Sequence, residues 1–374
     1  MKILFLHRWT GVRGGGTETH LKGLIRNLKD KHEITLVTRQ GAKIRELREE
    51  YPNINIITIS KNLFENDNSY ENTVPLYLHT ALFMTKLFFK LIWILSNEKY
   101  KPDVMSIHFA TEAVVANKIR NIFKIPYVFI FEGYTDWEAQ EGKKADESIS
   151  ITHYISKKCN EKFGYYPQVI NIGEDKFPVV SELDINNKAK VTPKVILTLC
   201  RLEPRKNLKA FVETVRIIIK EKKRKDIKFI LGGTGISQPE ILELINKYGL
   251  NKAIEYKGFV PEQNLVETYQ KAHVYFLPTY EEGFGIVYLE AMKSGCPIVS
   301  TNISATPEIV GNTGILVDDP DNYQDWSKAI LDLVDKQDLW LKKAKNCIEK
   351  GDKFWWKDLI TDYEKVYKKA TKKN

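Results

Sequence analysis

The strongest constraint in this sequence is an alternation that runs, stops and starts again. Short β-rich runs at 2–6, 33–38, 54–59, 104–108, 127–131, 148–152 and 168–170 are separated by helical patterns at 19–30, 75–97, 111–123 and 156–163. Strands joined by helices of that length need crossover connections, which predicts a parallel sheet covered on both faces. The stretch 177–193 (FPVVSELDINNKAKVTP) loses periodicity and reads as a linker. Beyond it come runs at 195–199, 228–231, 254–256, 274–277, 297–300 and 314–317, with helical patterns at 208–223, 239–248 and starting at 262 and 285. The expectation is two doubly wound α/β domains, 1–177 and 195–354, joined by a linker at 178–194 and followed by a terminal segment at 355–374. Ligands in such sheets bind at the carboxyl ends of strands, and two facing domains would place a cleft between those ends.

Composition narrows the function classes. The chain has 374 residues, 43% hydrophobic and 28% charged, enough for two cores and unlike a disordered, collagen-like or disulfide-stapled chain. Lysine and arginine number 57 against 48 acidic residues, a formal charge of +9 that favours polyanionic partners. Cys159, Cys200, Cys296 and Cys347 lie far apart without metal-ligand spacing, which suggests reduced thiols in a cytoplasmic protein. The first apolar run meets His7 and Arg8 at once and reads as a strand, not a signal peptide. In 75–97, Lys86 and Lys90 interrupt the apolar run, so a membrane span is excluded. A narrow polar stripe of His79, Lys86, Lys90 and Asn97 favours a helix packed deep against a sheet over one lying on a membrane surface.

Four segments carry candidate chemistry. The densest is PTYEEGFGIVYLEAM at 278–292, where a strand ends, glycines turn the chain and a helix begins near Gly285. Gly283 and Gly285 allow close backbone approach, and the first N–H groups of the new helix suit a phosphate. Glu290 could accept from a ribose diol and Glu282 from a sugar. The Glu-x7-Glu spacing also occurs at Glu174/Glu182 and Glu213/Glu221, which read as surface pairs. Next, Arg201 and Lys206 follow the first strand of the second domain, a bidentate fork and a point charge suited to a diphosphate. Gly14-Gly15-Gly16-Thr17-Glu18 follows the first strand without a dinucleotide or P-loop pattern, and Gly232-Gly233-Thr234-Gly235 is another close-approach turn.

Together these motifs, in this order, resemble the GT-B glycosyltransferases, of the retaining family 4 type. The resemblance runs nearly end to end. It takes in Gly15 to Glu18, the segment 171–175, Arg201 with Lys206, Gly232 to Gly235, Glu282 with Glu290, the glycines at 295 and 314, and an aromatic end from Trp355 to Tyr367 that crosses back to the first domain in such proteins. It implies a GT-B fold, with two Rossmann-like domains facing across a cleft. It implies that Arg201 and Lys206 bind the diphosphate of a nucleotide-sugar, with UDP or GDP favoured over ADP, and that Glu290 holds the ribose. Glu282, with the backbone at Phe284, Gly285 and Ile286, would meet the sugar and its phosphate. Gly15, Gly16, Gly233 and Gly235 would complete the donor site. The implied reaction transfers the sugar with retention to a glycan or lipid-linked acceptor. It needs no metal or cofactor, because the basic pair neutralises the leaving group. The positive charge is compatible with contact at the inner face of an anionic membrane. Asp319-Pro320-Asp321 spells a metal motif, but its place before a helix favours a turn and N-cap role.

One position departs from the family. A histidine is common after the strand at 127–131, and here Glu132 stands in its place. A carboxylate can accept from a hydroxyl or pair with an amine but cannot mimic a histidine donor. Glu132 is therefore carried as a catalytic candidate, with His108 and His153 as alternatives nearby. Three rival functions remain. A glycoside hydrolase using Glu282 and Glu290 gives no role to Arg201 and Lys206. A nucleotide-sugar epimerase would share the fold. Nucleic-acid binding would need aromatics interleaved with basic residues on one surface, and here the aromatics sit in apolar runs.

Overall fold

The computed structural model describes residues 1–11, 15–41, 43–60 and 76–373. Gly14 and Pro75, which belonged to the expected loop and helix, lie outside them. The chain divides into two compact units, Met1–Gly173 with Trp356–Asn374, and Glu174–Trp355.

The first unit holds seven strands: β1 (Lys2–Leu6), β2 (Glu33–Arg39), β3 (Asn55–Ile59), β4 (Val104–Ile107), β5 (Tyr127–Phe131), β6 (Glu147–Ser150) and β7 (Gln168–Val169). They pair in parallel in the order β3-β2-β1-β4-β5-β6-β7. All five residues of β5 (YVFIF) are buried, as a strand covered on both faces requires. The second unit holds β8 (Lys194–Leu199), β9 (Ile227–Gly232), β10 (Ile254–Gly258), β11 (Val274–Leu277), β12 (Ile298–Thr301) and β13 (Gly314–Val317), parallel in the order β10-β9-β8-β11-β12-β13. Phe211, Phe229, Phe276, Trp326 and Trp340 belong to its core. In each sheet the chain runs outward from its first strand, then returns to that strand's other side. The order thus reverses beside β1 and beside β8. Such switch points leave an open crevice at the strands' carboxyl ends.

The last helix, Trp356–Thr371, belongs to the first unit. Tyr363, Val366 and Tyr367 are buried, and the Tyr367 and Ser106 hydroxyls bond at 2.9 Å. His32 Nε2 lies 2.7 Å from the Glu364 carboxylate.

Three segments differ from the sequence reading. The aperiodic stretch 178–194 contains a helix, Glu182–Ala189, started by a reciprocal cap between Ser181 and Asp184. Only Ile185 and Ala189 of that helix are buried, which is too short an apolar stripe to register as periodic. The helix Asp136–Lys143, capped by Thr135 at 3.1 Å from the Glu138 N–H, was masked by its high polarity. The helix Leu76–Leu95 buries Phe83, Leu87, Leu91, Ile94 and Leu95, yet exposes Leu78, Leu82, Phe89 and Trp93. It is not sunk all round, because its outer side chains stay exposed.

Candidate active site

In the second unit the chain leaves β8 through Cys200–Glu203 and makes a tight turn at Pro204–Lys206. Asn207, in the left-handed region (φ 48°), then directs it into the helix Leu208–Arg216. The adjacent strand β11 ends at Leu277, and the segment after it is laced to this turn. The Tyr280 N–H donates to the Arg205 carbonyl at 2.8 Å, and the Thr279 hydroxyl donates to it at 3.0 Å. The lacing brings Lys206 and Glu282 together as an ion pair whose side chains are each 7% exposed. Arg205 reaches the other Glu282 oxygen at 3.9 Å. Glu203 holds Arg201 at 2.9 Å and Arg205 at 3.2 Å. Three cations thus face two carboxylates and leave one net positive charge at the β8/β11 switch point. The Glu282 N–H donates to the Ser304 hydroxyl at 3.0 Å, which fixes the acid from behind.

The glycines on this side play different parts. Gly285 (φ 80°) starts the helix Ile286–Lys293, and a side chain there would strike the Tyr288 ring. Phe284 and Ile286 beside it are buried, with Phe284 packed edge-on against Phe354 at 6.1 Å. Gly233 (φ 117°) donates its N–H to the Gly258 carbonyl at 2.7 Å, so that donor is already used. A Cβ at Gly233 would run into the Cys200 carbonyl, and one at Gly235 would lie 2.7 Å from the Leu202 carbonyl carbon. These two glycines therefore let one loop press against the backbone that carries Arg201.

Glu290 keeps some surface open while its carboxyl lies among protein groups. Burial first, then the nearby Glu174 carboxylate, pushes it up to about 7, against a smaller opposing effect from the Tyr269 hydroxyl. Glu174 is buried and is itself raised by desolvation. Neither Glu174 nor Glu213 is the surface residue the spacing suggested, since both side chains are buried. Glu282 and Glu290 engage different partners, which separates them as chemical groups. Asp319 makes a turn by accepting the Asp321 N–H at 2.9 Å, while the following helix, Tyr323–Asp335, is capped by Asn322.

The first unit assembles a second buried centre at its own switch point. His7 follows β1, His108 follows β4, Glu132 follows β5, and His20 lies on the buried face of the helix Gly16–Leu28, which Gly15 precedes. His20 Nδ1 and His108 Nδ1 both donate to Glu132 Oε1, at 2.6 and 2.8 Å. His20 Nε2 lies 3.0 Å from the Tyr363 hydroxyl, and His20 stacks on Trp356. His7 bonds Thr10 at 2.6 Å, and its ring meets His108 edge-on at 5.3 Å. Burial would raise the Glu132 carboxyl, but His20 and the two imidazole hydrogen bonds overcome it and hold the group at about 2. Burial pushes His7 well down, and His108 down as well. The Nε2 atoms of His7 and His108 are buried without a hydrogen-bond partner among the described residues.

His20, His108 and Glu132 bring three ligand atoms within 4.8 Å of one another, which is close enough to share a cation. The hydrogen bonds these atoms make with each other already account for their geometry. His153 is exposed at the start of the helix His153–Phe163.

Sequence reasoning did not single out Glu203, Arg205, His7, His20 or Tyr363. The signals were present but bland. His7 breaks an apolar run at a strand end, and His20 shares a helix face with Leu21, Leu24 and Leu28.

Two parallel sheets of this order with flanking helices are the GT-B glycosyltransferase fold. HepE from Anabaena, solved with UDP-glucose, superposes with a TM-score of 0.76 at 17% identity, over 98% of this chain and 99% of that one. Residues 180–354 match the family model of glycosyl transferases group 1. O-antigen chain mannosyltransferase B of Escherichia coli is 30% identical over 168 residues, covering 45% of this chain and 44% of that enzyme. The chain therefore spans under half the length of that relative. An uncharacterized glycosyltransferase of Methanocaldococcus jannaschii is 26% identical over 392 residues, covering 95% of both. No helix among the described residues is long and apolar enough to cross a membrane.

Proposed function

We propose that this protein is a retaining glycosyltransferase of the family 4 type. It takes a nucleotide-diphosphate sugar, UDP-linked before GDP-linked, and passes the sugar to a glycan or lipid-linked acceptor at the cytoplasmic side of a membrane. The observation that carries the reading is the Lys206–Glu282 pair with Arg201 and Arg205 at the β8/β11 switch point. HepE, with the same fold, was solved with UDP and UDP-glucose, which supports the choice of base.

In this reading Arg201, half exposed and held in place by Glu203, takes one phosphate, while Lys206 and Arg205 share their charge between Glu282 and the other. As the glycosidic bond breaks, charge grows on the diphosphate. Cations already fixed in a nearly dry site lower that barrier more than they tighten ground-state binding. The same set would serve without a metal. Glu282, with its main chain anchored on Ser304, meets sugar hydroxyls, and Glu290 holds the ribose diol. Glu132 serves as a hydroxyl or amine acceptor on the first unit.

The test is thermal melting with UDP, GDP, ADP and TDP at millimolar concentration, followed by incubation with nucleotide-sugars in EDTA. One nucleotide should raise the melting temperature, because it binds only the folded chain. Product NMR should show the donor's anomeric configuration preserved. No shift with any nucleotide sinks the donor site. An inverted product sinks retention, a new epimer formed without acceptor replaces transfer by epimerisation, and activity lost in EDTA and restored by a divalent cation sinks the metal-free route.

A further inference from the structure

The first-unit centre converges more tightly than a hydroxyl acceptor requires. His20 comes from the buried face of the helix Gly16–Leu28, His108 from the end of β4 and Glu132 from the end of β5. Both imidazoles turn Nδ1 toward the same oxygen, Glu132 Oε1, at 2.6 and 2.8 Å, although a carboxylate offers two. The imidazole side chains are 0% exposed and the carboxylate 10%, so the three groups meet in a nearly dry place. One nitrogen from each ring and one carboxylate oxygen lie within 4.8 Å of one another.

We propose that this centre binds one zinc-type divalent ion, with His20 Nδ1, His108 Nδ1 and a Glu132 oxygen as ligands and a fourth position open. The hydrogen bonds and the ion are alternatives at the same point, because the ion replaces the two Nδ1 protons. Two imidazoles with one carboxylate suit zinc and its d-block neighbours, whereas magnesium and calcium take oxygen shells. The outer shell is built on one side already. With the ion on Nδ1, each ring carries its proton on Nε2. His20 Nε2 lies 3.0 Å from the Tyr363 hydroxyl, which donates toward the Ile170 and Asn171 carbonyls at 3.2 Å each. Such a partner on the far nitrogen fixes the tautomer and plane of a ligating histidine, and stacking on Trp356 holds this ring further. His108 Nε2 has no hydrogen-bond partner among the described residues, so a proton placed there breaks no existing bond. The inference uses only first-unit residues and does not rest on the donor-site reading. The ion-bound chain is a state apart from the metal-free catalyst proposed above, since Glu132 cannot hold the ion and a substrate through the same oxygen.

The test is titration of the full chain, stripped with EDTA and dialysed, with zinc and separately with cobalt(II). Calorimetry should give one zinc per chain. Cobalt should give the visible bands of a four-coordinate nitrogen and oxygen site, without the near-ultraviolet band of a thiolate ligand. His20→Gln and His108→Gln should each remove both signals. Tyr363→Phe keeps all three ligands and should weaken zinc binding about 10–100-fold, as loss of an outer-shell partner does. His153→Gln, at an exposed histidine, should bind as the wild type does. Circular dichroism checks that each variant is folded, and if the glutamine variants are not, Tyr363→Phe and the wild-type cobalt spectrum decide. The proposal falls if zinc gives no heat and cobalt no visible bands, or if folded His20→Gln binds as tightly as the wild type. It also falls if the cobalt spectrum carries a thiolate band, or if magnesium competes equally with zinc.

Discussion

Both units place a buried glutamate at the switch point of a parallel sheet, and they neutralise it differently. In the second unit Glu282 faces Lys206 and Arg205. In the first, Glu132 faces the imidazoles of His20 and His108, and burial pushes His108 down. A lysine and an arginine meet the second-unit carboxylate at its two different oxygens. Two imidazoles meet the first-unit carboxylate at a single oxygen, Glu132 Oε1, and one of them also reaches the Tyr363 hydroxyl. A strand end at a switch point can thus hold a carboxylate against an ammonium and a guanidinium or against two imidazoles, depending on which side chains the neighbouring strand and helix supply.

The largest expected effect tests the Lys206–Glu282 pair. Lys206→Ala leaves Glu282 buried without its main partner, which should cost about 3–5 kcal/mol of stability and abolish sugar transfer. Denaturant melts and a donor-turnover assay check both, and wild-type turnover would end the clamp argument.

Glu132→Gln comes next and probes the imidazole centre. The carboxyl is held low in the fold, so its stabilisation is present above the usual carboxylate range and lost as pH falls through about 2. The variant should lose about 3 kcal/mol at pH 7, of the order expected for breaking a buried charged pair. That gap should narrow below about pH 4. A gap that stays constant with pH would show that packing, not charge, sets the role of Glu132.

Arg201 is the least buried of the three cations, with a side chain 47% exposed. Arg201→Ala should therefore leave the melting temperature unchanged while lowering kcat/KM by roughly 10–150-fold, the equivalent of one charged hydrogen bond of about 1.5–3 kcal/mol.

The smallest effect concerns Glu290, held at about 7 by burial and by Glu174. Its ionised form accepts from both hydroxyls of a diol, and its protonated form accepts less well. Nucleotide affinity should rise a few-fold from pH 6 to pH 8 and be flat in Glu290→Gln. Calorimetry reads this directly, and affinity falling with pH would remove Glu290 from the ribose.

The second-unit site was largely legible because its parts are contiguous. A strand end, a glycine turn and a helix start lie within 278–292, and Arg201 and Lys206 lie within one loop, so residue type and spacing carried the chemistry. Glu203 and Arg205 stood in the same loop but looked like ordinary solvated charges until the fold showed them gripping Arg201 and Glu282. The first-unit centre was not legible. Its members are separated by 112 positions between His20 and Glu132 and by 343 between His20 and Tyr363. Glu132 could be picked out only as a departure from a family pattern, and nothing local announced which side chains it would meet.

By itself the amino-acid order determined the two trains of parallel strands, where each begins and ends, and where glycine lets the chain turn. Those depend on hydrophobic periodicity and backbone stereochemistry, which act over a few residues. Only the tertiary structure decided which charges are neutralised and which apolar side chains stay exposed. It brought Lys206 against Glu282, gathered His20 and His108 around Glu132, and left Phe89 and Trp93 exposed. The reason is that desolvation and electrostatic pairing depend on distance in space, and strand order sets that distance without leaving a mark on neighbouring residues.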